Sequence, residues 1–101
     1  MGVGEYVDLI LKKKKITRTE FTKRINEVEK LLGDSRTTLT NVTNYLNGYH
    51  AIRPKTVAKW EVALDLEEGT LIKKVAEPLS SDGIKEMKEL INKLREIRRK
   101  L

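Results

Sequence analysis

Phe21, Ile25, Val28 and Leu32 stand four, three and four residues apart. That spacing gathers on one face of an α-helix and splits between the two faces of a strand. Local chemistry bounds the stripe at both ends. Ahead of it, Thr17-Arg18-Thr19-Glu20 is a capping box, in which the threonine hydroxyl accepts from the glutamate amide and the glutamate reaches back. Behind it, Gly33 supplies the residue at which helices commonly stop. No segment of the chain alternates cleanly with period two, and β-branched residues sit at caps or at helical spacings. The expected fold class is therefore all-α.

The same grammar lays out the other elements. A first helix is expected over residues 4–14, with Val3, Val7, Ile10 and Leu11 on one face and Tyr6 beside them. Lys12, Lys13, Lys14 and Lys15 close it, where cations suit the helix dipole. Asp34, Ser35, Arg36, Thr37 and Thr38 are turn and cap material. A third helix over 38–47 carries Leu39, Val42, Tyr45 and Leu46 and stops at Asn47-Gly48. After a loop at 49–53, Pro54 suits the first position of a fourth helix, which buries Val57, Trp60 or Ala58, Ala63 and Leu64. A short fifth helix is expected at 68–76, with Leu71, Ile72 and Val75 inward and Pro78 ending it. The pair Glu67-Glu68 suits its N-terminus. Residues 79–83 read as a linker with a cap, and a last helix runs from 83 to 101. The expected division is a domain at 1–77 and a linker with a C-terminal amphipathic helix at 78–101.

Composition narrows the function classes. The chain of 101 residues suits one compact domain plus an appended helix. Its balance of +6 favours polyanionic partners. It has no cysteine, which excludes a disulfide framework, a thiolate metal site and a cysteine nucleophile. A single histidine, His50, excludes a histidine metal cluster within one subunit. No metal or other cofactor is expected. No Ser–His–acid arrangement or glycine-rich phosphate loop is present, so the chain does not read as an enzyme. The longest apolar runs are three residues, such as Leu9-Ile10-Leu11, too short to span a bilayer. No basic segment followed by an apolar stretch opens the chain, and the expected location is the cytoplasm or nucleoid.

One stretch departs from its surroundings. No residue from 37 to 49 is charged, in a chain where 36% of residues are. Val42 and Leu46 can pack inward, while Thr40, Thr43, Asn44 and Asn47 lie on the outward side and Asn41 at its margin. Short amides and hydroxyls opposite an apolar face are what a helix needs in the major groove. Asparagine can pair with adenine in bidentate fashion, and a threonine methyl can touch a thymine methyl. An ordinary capped surface helix is the plain alternative. Leu39 reads as core; turned outward, it would meet a thymine methyl. Cations bracket this helix: Arg18 before it, Arg36 in the preceding turn, and Arg53 and Lys55 around Pro54. With Thr17, these are the candidate phosphate contacts. His50 reads as an exposed loop residue, with a phosphate or base contact as the alternative. Trp60 falls in the core pattern of the fourth helix rather than on a stacking surface.

From Ile16 to Ile72 the order of motifs resembles the phage repressor-like helix-turn-helix family, also called XRE-type or lambda repressor-like. The matching residues are Ile16-Thr17-Arg18-Thr19-Glu20-Phe21, then Thr40-Asn41-Val42-Thr43-Asn44-Tyr45-Leu46-Asn47-Gly48, then Pro54, Val57, Ala63, Leu64, Leu66 and Leu71-Ile72. The resemblance covers a little over half the chain. It implies a five-helix DNA-binding domain, here with an additional C-terminal helix, and a phosphate contact at Arg18. It also implies a sequence-specific transcriptional regulator of double-stranded DNA, a repressor of the phage or mobile-element kind. One departure stands out: residues 21–38 are longer than the tight family arrangement, from an extended second helix or an enlarged turn.

Ile84, Met87, Leu90, Ile91, Leu94, Ile97 and Leu101 form a broad apolar stripe on the last helix, opposite a lysine- and arginine-rich face. An amphipathic helix must bury such a stripe. Pairing with a second subunit is the favoured expectation and folding back on the core the alternative. A homodimer would read two half-sites about one helical turn apart, or a multiple. In a different functional class, the stripe would bind a partner protein, as in an antitoxin or anti-regulator.

Overall fold

Thr17, Thr38 and Ser80 each accept a hydrogen bond from the amide three residues on, at 3.1, 3.2 and 3.1 Å, and a helix begins after each. The computed structural model describes residues 2–75 and 80–101. Among the described residues it is all-helical, with no strand. Its α-helices are α1 (Val3–Lys14), α2 (Arg18–Leu32), α3 (Leu39–Leu46), α4 (Pro54–Ala63) and α5 (Ser81–Lys100). Gly33 takes φ +77° at the end of α2, the left-handed conformation that releases the chain from a helix without a Cβ clash. Pro54 occupies the first turn of α4, where its missing N–H removes no intrahelical bond. Only half of the capping box at Thr17 is formed, because the Glu20 carboxylate meets Arg24 one turn on, at 3.5 Å.

One apolar cluster draws on every helix. Val7, Ile10 and Leu11 enter it from α1, Phe21, Ile25 and Val28 from α2, Val42 and Leu46 from α3, and Val57, Ala58 and Trp60 from α4. The sole tryptophan packs in this core, edge-on to Phe21 with centroids 5.3 Å apart and to Tyr45 at 5.8 Å.

Three expectations are corrected. The expected fifth helix at 68–76 is a turn followed by a single 3₁₀ turn, Ile72–Lys74; its last residue, Ala76, and the stop at Pro78 lie outside the described residues. Leu71 is inward and Ile72 and Val75 are partly buried, so the apolar spacing was right while the backbone was not. The cause is tertiary. The Glu61 carboxylate on α4 accepts the amides of Gly69, Leu71 and Ile72, at 3.0, 2.6 and 3.0 Å, and holds the segment in a shape a helix does not have. Glu68 caps nothing; its carboxylate takes both Nε and Nη2 of Arg95 on α5.

The second correction concerns α5, which begins two residues earlier than expected, at Ser81. Its stripe is turned inward. Met87, Leu94 and Ile97 are buried in the chain's own core, and Leu90 and Ile91 are partly buried against it. The helix lies on α4 and α2. A radius of gyration of 12.8 Å is that of a compact chain of about 100 residues, which leaves no room for a protruding arm. These five positions are therefore not a surface offered to a second subunit. Only the ends of the stripe, Ile84 and Leu101, remain exposed. Burying a large aliphatic side chain is worth roughly 1.5–3 kcal/mol, and here the chain's own α2 and α4 supply that burial.

The third correction is Leu39, expected in the core and found 42% exposed. It occupies the first position of an eight-residue helix, and only Val42 and Leu46 further along are buried.

Candidate nucleic-acid interface

Where α3 can stand is decided by the connection before it. Residues 33–38 are tied down by α2 rather than left as a free turn. The Asn26 amide makes both bonds to the backbone of Thr37, donating to its carbonyl at 2.9 Å and accepting from its N–H at 2.7 Å. The Thr37 hydroxyl donates to Glu29, a carboxylate that is otherwise buried on α2. Lys59 of α4 closes the arrangement, 2.8 Å from Asp34 and 3.8 Å from Glu29. The extra length between Phe21 and Thr38 thus comes from both sources: α2 runs for 15 residues, and the connection is an extended strap sewn back onto it. Buried polar groups are tolerated only when satisfied. Among the described residues no buried side-chain N or O lacks a partner.

The strap delivers the chain to the Thr38 cap, and α3 starts there. Val42 is fully buried and Leu46 nearly so. Of the candidate base-reading residues, Thr40, Asn41 and Asn47 are exposed, and Thr43 and Asn44 are half-buried. At its C-terminal end α3 is pressed against α1. A Cβ placed on Gly4 would lie 3.1 Å from the carbonyl oxygens of both Tyr45 and Leu46, so glycine is what allows the two backbones to come this close.

The candidate phosphate contacts separate into groups. The Thr17 hydroxyl accepts from Glu20 as the cap of α2. Arg18, in the first turn of α2, is engaged on both sides: Nη2 lies 2.8 Å from Asp8 of α1, and Nη1 donates to Asn47 Oδ1 at 3.2 Å. This joins one candidate phosphate residue to one candidate base reader across three elements. Arg36 is exposed in the strap, and Arg53 is exposed at the N-cap of α4. Lys55 is not joined to α3 at all; it pairs with Glu86 of α5. That ammonium holds the Glu86 carboxyl below its usual range, through the hydrogen bond first and charge attraction second.

Two features escaped the sequence reading. Asn26 and Glu29 follow the stripe residues Ile25 and Val28 directly, at a helical spacing of three. Polar side chains bordering an apolar stripe in this way were the available signal for the strap. Asp8, the partner of Arg18, gave none, because its contact spans α1 and α2. His50, read as a plain loop residue, has its ring edge-on to Tyr45, with centroids 5.7 Å apart.

Among the described residues no cluster of three or more His, Cys, Asp or Glu is arranged to hold a metal ion. No helix among them is long and apolar enough to cross a membrane. Comparison with protein-family models, with curated proteins and with solved structures returned no match.

Proposed function

We propose that the chain is a sequence-specific DNA-binding protein of the lambda repressor-like helix-turn-helix type, with α2 and α3 as the paired helices and α3 in the major groove. On this reading it represses transcription by occupying an operator in double-stranded DNA, in the manner of phage or mobile-element regulators. The observation that carries the proposal is α3 itself. It is a short, uncharged helix, anchored by Val42 and Leu46, whose accessible side chains, apart from Leu39 at its first position, are amides and hydroxyls. A solvated helix in so charged a chain has no need of that composition. A groove-reading helix does, because base edges present donors and acceptors rather than net charge.

Roles follow from position. Thr40, Asn41, Thr43 and Asn44 read base edges, and the exposed Leu39 meets a thymine methyl. Arg18, Arg36, Arg53 and Lys55 meet phosphates and set the register. Asn47, already bonded to Arg18, couples the two groups. The interaction-module alternative is not carried forward, since the stripe it relied on is covered by α2 and α4.

Duplexes selected from a random pool, followed by titrations across salt, test the proposal. Asn44→Ala should cost about 1–3 kcal/mol on the selected site and relax preference at one base pair. Arg53→Ala should weaken all sequences alike and flatten the salt slope by about one. No binding to duplex at low salt would end the proposal.

A further inference from the structure

Four rings run from the core to the surface of α3. Phe21 is edge-on to Trp60, Trp60 to Tyr45, and Tyr45 to His50, with centroids 5.3, 5.8 and 5.7 Å apart. Phe21 and Trp60 are buried, Tyr45 is half-buried and His50 is exposed. The histidine therefore stands on a support rooted in the hydrophobic core, although it belongs to a loop. At its far side, His50 Nε2 lies 3.5 Å from Asn44 Nδ2.

We infer that His50 is a positioning residue, which fixes the orientation of the Asn44 amide and thereby the base that Asn44 prefers. The inference rests on the DNA-reading role proposed for α3 and adds to it.

The chemistry is directional. A primary amide presents a carbonyl acceptor on one side and two N–H donors on the other, and the two ends have nearly the same shape. An isolated exposed asparagine turns either end outward. Bidentate pairing with adenine needs both ends at once, with Oδ1 accepting from N6 and Nδ2 donating to N7. The neutral imidazole protonated at Nδ1 has Nε2 as an acceptor. Nε2 then takes one Nδ2 hydrogen of Asn44, which leaves the second hydrogen and Oδ1 for the base. In that tautomer, the rotation that would exchange the two ends would set Oδ1 against the Nε2 lone pair and is disfavoured. Edge contact with Tyr45 restrains the ring. The pre-set amide then has less rotational freedom to lose on binding.

His50→Ala, His50→Gln and Asn44→Ala test this in the full chain. In the DNA-free protein, His50→Ala should shift the Asn44 side-chain amide resonances while those of Asn92, far along the chain, stay in place. His50→Gln, which keeps an acceptor, should shift them less. In selections from a random duplex pool, wild type should show an adenine preference that Asn44→Ala erases. His50→Ala should lower that preference by about fivefold or more at the same position only, with the salt slope unchanged. His50→Gln should restore most of it. Unmoved Asn44 resonances in His50→Ala, or an unchanged preference where Asn44→Ala erases it, would overturn the inference and leave the DNA-binding reading intact. Equal weakening of every sequence by His50→Ala would also overturn it, by making His50 a phosphate contact. A wild-type chain that selects no sequence would remove the DNA-reading role, whatever the resonances do.

Discussion

Glu61 is 1% exposed and brings a carboxylate into the core. Its two oxygens accept from three backbone amides, that of Leu71 in a buried bond and those of Gly69 and Ile72 in partly buried ones. Such an arrangement is worth more to keep than to build, since each orphaned buried donor costs about 1–3 kcal/mol. Glu61→Gln retains the shape, but replaces one acceptor oxygen by an NH₂ group facing amides that also donate. The expected outcome is a loss of about 2–3 kcal/mol in urea unfolding, with the helix content of the folded state unchanged. An unaltered midpoint would mean that residues 69–72 hold themselves. This carboxylate also explains why the expected fifth helix was misjudged. Leu71, Ile72 and Val75 have helical spacing, and the residue that overrides it lies ten positions before Leu71. Nothing near 68–76 announces an acceptor supplied from another helix.

At the scale of the element, what was legible in the sequence was what is local. Thr17, Thr38, Gly33 and Pro54 act on backbone groups within a few residues, and the starts of α2, α3 and α4 and the stop of α2 follow from them. The same holds for the burial of Val42 and Leu46 and the exposure of Thr40 and Asn41. Contacts between elements were not legible. The stripe on α5 required burial, but an amphipathic pattern does not state what will cover it, and α4 and α2 of the same chain supply the cover. Leu39 was misplaced because periodicity assigns a face and cannot tell how far a short helix reaches over its support. The α1–α3 junction makes the same point from the other side. Gly4 looked unremarkable in sequence, yet it sets how near the carbonyl ends of α3 can lie. Gly4→Ala should force the two backbones apart and cost about 1–3 kcal/mol, the penalty of overpacking. Amide exchange should quicken in α1 and at the C-terminal end of α3 before it changes in α4. Uniform loss across all helices would place the strain elsewhere.

For the whole molecule, α5 is part of the fold rather than an attachment to it. Leu94 is 4% exposed beneath it, so Leu94→Ala should cost about 2–5 kcal/mol, as truncations in a packed core do. Its sedimentation should match that of the wild-type chain. A variant that keeps its stability and loses mass would instead put this face between two copies. The ion pairs beside it, Glu68 with Arg95 and Glu86 with Lys55, are solvent-exposed. They hold α5 in register more than they hold it down.

The pairing of Lys55 has a consequence for any polyanion that docks on this face. In the free protein this ammonium already has a tethered carboxylate for company, and so does the guanidinium of Arg18. A phosphate reaching either one exchanges one negative group for another instead of meeting a bare cation. Fewer small ions are then set free than a tally of basic side chains would forecast, and the attraction is correspondingly less sensitive to the medium. On the reading proposed for α3, a surface neutralised in advance would give up some of its pull on arbitrary duplex and leave the choice of site to that uncharged helix.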